Sequence, residues 1–215
     1  MWLTGPLATD PLDFIRWTSR ISQPQVFTVL PDGCRDILVH KSAAETTISL
    51  TDIDFRPRPT ILRPGDEMIG YRLRPGLQLD VHNLRASDIP DAIAHAKTAK
   101  TDLRHAIEAL GTDGTPVHKV AKRLGVSLRS LQRKLARQKM PPPEFWRLLG
   151  RARRSAAALA SDLPLADIAG MHGYSDQSHM TRACRYWFGH TPMQIRQSRA
   201  ILDEMNQPAL GNWIG

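Results

Sequence analysis

The sequence predicts an α+β protein: a small β-rich N-terminal domain at residues 1–87, an all-α C-terminal domain at residues 88–200, and a loose tail at residues 201–215. Turns rich in Pro and Gly divide the first half into short β-branched runs, which is typical of strands joined by tight connections. In the second half, apolar residues recur at the 3.6-residue spacing of a helix. A helix–glycine–helix pattern also occurs twice there, centred on Gly125 and Gly173.

The first half contains five candidate strands separated by turn residues. They are Val26–Leu30, Ile37–His40, Thr46–Leu50, Thr60–Leu62 and Met68–Leu73. Segments such as Pro31-Asp32-Gly33 and Arg74-Pro75-Gly76 favour tight turns between them. A β domain of roughly 80 residues buries little surface by itself. We therefore expect it to pack against the second half or against another subunit.

Positive charge is concentrated in the helical half. Residues 1–100 contain 12 Lys and Arg against 12 Asp and Glu, whereas residues 101–200 contain 17 against 7. An excess of ten positive charges in one domain favours a polyanionic partner such as nucleic acid, because binding releases condensed counterions. The alternative is a solvated basic face that only keeps the protein soluble.

The first glycine-centred pattern predicts a helix-turn-helix unit between Pro116 and Arg137. Gly125 permits a left-handed turn, Val126 plugs the gap between the helices, and Ser127 caps the second helix. We expect an inward stripe of Leu128, Leu131 and Leu135. The opposite stripe consists of Arg129, Gln132, Arg133 and Arg137. Arg and Gln are the side chains that read guanine and adenine edges in the major groove, although an ordinary helical hairpin has the same pattern.

A second unit repeats the arrangement 48 residues later, with Gly173 as the turn, Tyr174 as the plug and Ser175 as the cap. The inward stripe of its second helix is Met180, Ala183, Cys184 and Trp187. The outward set is Gln177, Ser178, His179, Thr181, Arg182 and Arg185. Two such units in one basic domain predict two recognition helices that enter successive major grooves, about 34 Å apart on one face of the duplex.

One long helix, from Glu144 to Ala160, is predicted to join the two units. Its outward residues Arg147, Arg151 and Arg154 are candidate phosphate contacts, with a purely solubilising role as the equal alternative. Gly150 lies inside this helix, where glycine costs about 1 kcal/mol relative to alanine. We interpret it as a point of flexibility between the two units.

The sequence of about residues 100–200 resembles the AraC/XylS family of transcription regulators. The more specific match is in the second unit: Ile168-Ala169, Gly173-Tyr174-Ser175-Asp176-Gln177-Ser178-His179-Met180-Thr181-Arg182, and Trp187-Phe188-Gly189-His190-Thr191-Pro192. Val120-Ala121 and Ser127-Leu128-Arg129-Ser130-Leu131-Gln132-Arg133 are similar in the first unit. The inward Met180 and Cys184 depart from the family, which usually has Phe there.

The resemblance implies a sequence-specific, double-stranded DNA-binding transcription regulator, with RNA polymerase as a partner. By position it implies base contacts from Arg129, Gln132, Arg133, Gln177, Ser178, His179 and Arg182. We expect phosphate contacts from Ser127, Arg137, Arg147, Arg151, Arg154, Thr181 and Arg185. The first half is similar to a short β domain that precedes this module in some members, through Val29–Leu38 and Gly70–Gly76. It is a possible site for a small-molecule effector.

Other classes of function fit the sequence less well. Two cysteines, Cys34 and Cys184, are too few for a structural zinc site, and we expect no metal, no cofactor and no enzymatic activity. Cys34 is either a structural cysteine or, less favoured, a sensor thiol activated by Arg35. We expect a cytoplasmic monomer or homodimer without membrane association. The alternatives are an architectural DNA-binding protein with little sequence preference and an enzyme that acts on DNA.

Overall fold

A computed structural model describes residues 13–42, 45–98, 101–112 and 114–213. The first half is β-rich, with strands β1 (Phe14–Arg20), β2 (Gln25–Val29), β3 (Arg35–Lys41), β4 (Thr46–Leu50), β5 (Arg58–Leu62) and β6 (Glu67–Leu73). Four of them form an antiparallel sheet in the order β1-β6-β3-β4, while β2 and β5 pair with each other. The five predicted strands are confirmed, with their ends shifted by up to two residues.

Strand β1 was not predicted. Its side chains alternate between buried and exposed, with Ile15 and Trp17 facing inward. Trp17 lies opposite Gly70 in β6, where a Cβ atom would stand only 2.0 Å from the indole ring. Gly70 is therefore required for the indole to lie flat across the sheet, and this contact sets the pairing of β1 with β6.

The second half is helical, as predicted, and the α+β class is confirmed. Its elements are α1 (Ile89–Thr98), α2 (Thr101–Thr112), α3 (Val117–Arg123), α4 (Leu128–Arg137), α5 (Pro143–Ala158), α6 (Leu165–Met171), α7 (Gln177–Phe188), α8 (Pro192–Gln197) and α9 (Arg199–Met205). Helix α1 packs on the sheet, because Ile89 and Ile93 share an apolar cluster with Ile37 and Leu73. None of the helices in the described part of the chain is long and apolar enough to cross a membrane.

Helix α5 forms the centre of the helical core. Trp146, Leu149 and Ala156 are fully buried in a cluster that includes residues from both glycine-centred units. Gly150 is also buried, and a Cβ atom there would lie 2.2 Å from the carbonyl oxygen of Gly111 in α2. The interpretation of Gly150 as a point of flexibility is wrong. Its hydrogen lets the backbones of α2 and α5 approach closely.

The two halves are joined by a buried polar seam. Arg72 of β6 pairs with Asp32 at 3.2 Å and with Asp36 at 3.5 Å. Arg153 of α5 is 3% exposed and donates to the carbonyl oxygens of Pro31 and Met205, at 3.4 and 3.1 Å. The hydrogen bond from Arg153 to Pro31 crosses between the halves and supports the expectation that the β domain packs against the second half.

The prediction of a loose tail is wrong for the described residues, which extend to residue 213. Helix α9 extends to Met205, and Ala209 and Leu210 are buried. The backbone N–H of Leu210 donates to the carbonyl oxygen of Asp32 at 2.9 Å. A Cβ atom on Gly33 would lie 2.9 Å from that of Leu210, so the segment after α9 packs tightly against the first half.

Candidate nucleic-acid interface

The first unit consists of α3, a four-residue turn and α4. Gly125 has φ 64°, in the left-handed region, and the N–H of Val126 then donates to the carbonyl oxygen of Ala121 at 3.0 Å. The hydroxyl of Ser127 accepts a hydrogen bond from the N–H of Ser130 at 3.1 Å, which confirms the predicted cap. This capping satisfies one of the free N–H groups at the start of α4 and fixes the direction in which the helix leaves the turn.

Helix α4 presents a polar face to solvent. Leu131 and Leu135 are completely buried beneath it. The exposed residues Arg129, Gln132, Arg133 and Arg137 lie on the other side, as predicted. Leu128 was predicted to face inward but is 43% exposed, at the first position of the helix. The exposed face offers guanidinium and amide groups that are not occupied by packing within the core.

The second unit, α6 and α7, has the same turn. Gly173 has φ 72°, and the N–H of Tyr174 donates to the carbonyl oxygen of Ala169 at 2.9 Å. Tyr174 is buried, as expected for the plug between the helices. The corresponding bond in the first unit also connects the residue after the glycine to the carbonyl five positions earlier. The two turns therefore share the same backbone geometry around the glycine, although the second turn is one residue longer.

The cap of α7 is Asp176 rather than Ser175. The Asp176 carboxylate accepts from the N–H of His179 at 2.6 Å, and this hydrogen bond lowers the pKa of Asp176 below its usual value. Ser175 instead donates to the Asp176 carboxylate through its hydroxyl. A carboxylate near the positive end of the helix dipole is favourable, and Asp is as good an N-cap as Ser. The prediction of Ser175 was wrong because Ser175 and Asp176 are adjacent and both are good N-cap residues.

The outward side of α7 divides into two groups. Gln177, Ser178, Arg182 and Arg185 are exposed. His179 and Thr181 are half-buried and already bonded: His179 Nδ1 lies 3.2 Å from the Ser175 hydroxyl, and the Thr181 hydroxyl donates to the carbonyl oxygen of Gln177. On the inward side, Met180, Cys184 and Trp187 are buried as predicted.

The three arginines on the outward side of α5 have different surroundings. Arg147 pairs with Glu144, which raises the pKa of the guanidinium and lowers that of the carboxyl. Arg151 donates to the carbonyl oxygen of Gly173 at 3.2 Å, and its guanidinium lies 4.3 Å from the Tyr174 ring centre. Arg151 thereby ties α5 to the turn of the second unit, a supporting role that sequence reasoning missed.

Together with Arg154, these side chains line an open cleft of about 340 Å³. Gly114, Met171, His172 and Gly173 complete its wall, so the cleft lies between α5 and the turn of the second unit. Burial, and secondarily the positive charge of Arg154, lowers the pKa of His172, so this imidazole is neutral at neutral pH. A cleft with three guanidinium groups has the electrostatic character of a phosphate-binding surface.

Comparison with known proteins agrees with this geometry. Residues 120–198 match a family described as a helix-turn-helix domain. Over 80 residues the chain is 41% identical to the HTH-type transcriptional regulator VirS of Mycobacterium tuberculosis, a match that covers 36% of this chain and 23% of that protein. Over residues 120–198 the chain is therefore similar to a helix-turn-helix domain, and it spans less than a quarter of the length of the VirS regulator that it matches.

Partial structural matches were found to solved proteins from two other bacteria. One is a transcriptional regulator with an AraC-type DNA-binding domain from Chromobacterium violaceum, 23% identical, with a TM-score of 0.41 and coverage of 54% of this chain and 99% of that one. Another is ToxT from Vibrio cholerae, 11% identical, with a TM-score of 0.45 and coverage of 86% and 97%.

All predicted contact residues lie within residues 120–198, but they differ in how far they are exposed to solvent. Six of the seven predicted base contacts are exposed on α4 or α7, and the exception is the half-buried His179. Of the predicted phosphate contacts, Ser127, Arg137 and Arg185 are exposed. No group of three or more His, Cys, Asp or Glu residues within the described ranges is placed to hold a metal ion.

Proposed function

We propose that the protein is a sequence-specific DNA-binding transcription regulator that reads two successive major grooves with α4 and α7. The observation that carries this proposal is the repetition of one backbone geometry, with an exposed Arg/Gln face on the second helix of each unit. Both units share a core built around α5, whose buried residues contact each of them. A shared core favours a fixed separation between the two recognition helices, as successive grooves require.

The base-reading roles follow from the exposed groups. Arg129, Arg133 and Arg182 match the acceptor pair of guanine, and Gln132 and Gln177 match the donor–acceptor pair of adenine. Ser178 and His179 are assigned secondary base contacts at the start of α7. Because His179 Nδ1 is close to the Ser175 hydroxyl, its Nε2 is the nitrogen assigned to DNA.

Backbone contacts are assigned to Ser127, Arg137, Thr181 and Arg185 near the two recognition helices, and to Arg147, Arg151 and Arg154 in the cleft beside α5. Phosphate contacts fix the position of a protein on the duplex without reading its sequence. Two reading units in one chain allow a monomer to bind, and a homodimer is the alternative. We assign the protein to the cytoplasm, with RNA polymerase as partner and the β domain as the place for an effector.

The proposal is tested by selecting binding sites for the full chain from a random DNA duplex pool at physiological salt. We expect a bipartite motif with halves about one helical turn apart. Arg182→Ala should abolish preference at one base pair of one half, at a cost of about 1–3 kcal/mol. Arg147→Ala should weaken all sequences equally and reduce the salt dependence by about one charge. Tight binding without any enriched motif would contradict the proposal and favour an architectural role.

A further inference from the structure

A loop of the β domain reaches across to the end of the second recognition helix. Arg56 donates from Nη1 to the carbonyl oxygen of Tyr186 in α7 at 3.1 Å. Its guanidinium carbon also lies 3.5 Å from the centre of the Tyr186 ring, a cation–π contact. One arginine of the first half therefore holds both the backbone and the side chain of one residue of α7.

Because of the position of Tyr186, this contact acts on the C-terminal end of α7. Tyr186 is the third-last residue of α7, so its carbonyl oxygen belongs to the last turn, whose carbonyls have no partner inside a helix. A positive side chain is favourable at this negative end of the helix dipole. Arg56 therefore stabilises the end of α7 that is farthest from the capping Asp176.

Aromatic packing extends the same contact into the core. Phe55 lies 4.7 Å from Phe145 between ring centres, and Phe145 lies 5.4 Å from Trp187. Trp187 in turn packs against Tyr186 at 4.8 Å. The loop thus touches α7 directly through Arg56 and indirectly through Phe145, in the first turn of α5.

The loop itself is anchored to the β domain. Arg58 at the start of β5 pairs with Asp54 at 2.8 Å, and this hydrogen bond raises the pKa of Arg58. Phe55 is 50% exposed and Tyr186 43% exposed, so the contact lies at the surface. A surface contact of this kind is weak enough to be altered without unfolding either half.

We propose that Arg56 is a positioning residue for α7, through which the β domain sets the orientation of one of the two recognition helices. This inference rests on the proposed DNA-reading function of α7. Its consequence is asymmetry: a change in the loop alters the half-site read by α7 and leaves the half-site read by α4 unchanged.

The test compares Arg56→Ala with Arg63→Ala in the full chain. Arg63 is an exposed arginine of the same β domain, so both variants lose one positive charge. Binding of each is measured to the selected bipartite duplex and to versions in which one half is scrambled. We expect Arg56→Ala to bind the intact duplex about 3- to 10-fold more weakly, which corresponds to about 0.7–1.4 kcal/mol, because α7 loses the two contacts that hold its last turn.

The scrambled duplexes decide the mechanism. With the α7 half scrambled, Arg56→Ala and the wild type should bind equally, whereas the loss should persist when the α4 half is scrambled. Arg56→Lys, which keeps the charge and part of the ring contact, should recover much of the affinity. A loss that is equal on all three duplexes, or equal to that of Arg63→Ala, would mean that Arg56 acts only through general charge, and the inference would be overturned.

Amide hydrogen exchange provides a readout that does not depend on DNA. Arg56→Ala should speed exchange in the last turn of α7 and leave α4 unchanged. Tyr186→Leu, which removes the ring contact and keeps the backbone carbonyl, should reproduce part of this effect and combine with Arg56→Ala non-additively. If the wild type selects no DNA motif, the proposed function fails while this measurement still decides whether Arg56 positions α7. Unchanged exchange in α7 would refute the positioning role.

Discussion

Replacing Gly150 by alanine is expected to destabilise the protein, although alanine is the better helix former. By intrinsic propensity the substitution would stabilise α5 by about 1 kcal/mol. The new Cβ atom, however, would lie 2.2 Å from the carbonyl oxygen of Gly111, 2.6 Å from its Cα atom and 2.8 Å from its carbonyl carbon. These are main-chain atoms of α2, so no side-chain rotation relieves the contact.

The magnitude follows from the separation that the helices would need. Non-bonded carbon atoms approach comfortably to about 3.5 Å, so α2 and α5 would have to move apart by about 1 Å. Overpacking of a dense core typically costs about 1–3 kcal/mol, and a clash with main-chain atoms belongs at the upper end. After subtracting the gain in propensity, we expect a net loss of about 2 kcal/mol, or a melting temperature about 4–8 °C lower.

Gly170 provides a matched control for the same substitution. It lies in α6, and a Cβ atom there would meet nothing within 4 Å. Gly170→Ala should therefore stabilise the protein by about 0.5–1 kcal/mol. Both variants are measured by urea unfolding followed by circular dichroism. A Gly150→Ala protein as stable as the wild type, with Gly170→Ala stabilised as expected, would refute the close approach of α2 and α5.

Three further predictions concern single side chains. Burial raises the pKa of the Cys34 thiol, with Asp32 adding to the effect, so the native protein should resist alkylation there at neutral pH and react only in denaturant; rapid native labelling would revive a sensor role. Burial also raises the pKa of Glu204, so the ionised carboxylate destabilises the folded state. Glu204→Gln should therefore stabilise the fold at pH 7. The difference in unfolding free energy between variant and wild type should disappear as the pH falls below the carboxyl pKa of the unfolded chain, about 4.3. Ser127→Ala removes the cap of α4 and should cost about 1 kcal/mol in thermal unfolding, whereas Ser127→Thr should retain most of it.

The local features of the two helix-turn-helix units could be predicted from the sequence because each depends on neighbouring residues. A glycine followed by a plug and a cap specifies the turn within a few positions. Periodicity predicts which face of a helix is buried, but not whether residues at the helix ends are buried as well. Leu128 and Met171 share a helix face with buried residues, yet they are 43% and 69% exposed because each lies at the end of a short helix.

Features that depend on distant segments could not be predicted in the same way. Strand β1 is defined by its pairing with β6, about fifty residues later in the chain, and its own residues carry no turn signal that isolates it. The tail was misjudged because the partners of Leu210 are Gly33 and Gly111. The approach of Arg56 to Tyr186 spans 130 positions, and nothing in either local sequence indicates it.

The packing of Leu210 against the first half also has a consequence for folding during synthesis. Leu210 packs against Gly33 and Gly111 and bonds to Asp32, all of which leave the ribosome earlier. Domains generally fold as units during synthesis, with the N-terminal one first. The apolar surface that Leu210 covers therefore stays exposed on the β domain and α2 while roughly a hundred further residues are translated. Slow translation of the second half would prolong this exposure, and the uncovered surface is of the kind that chaperones bind.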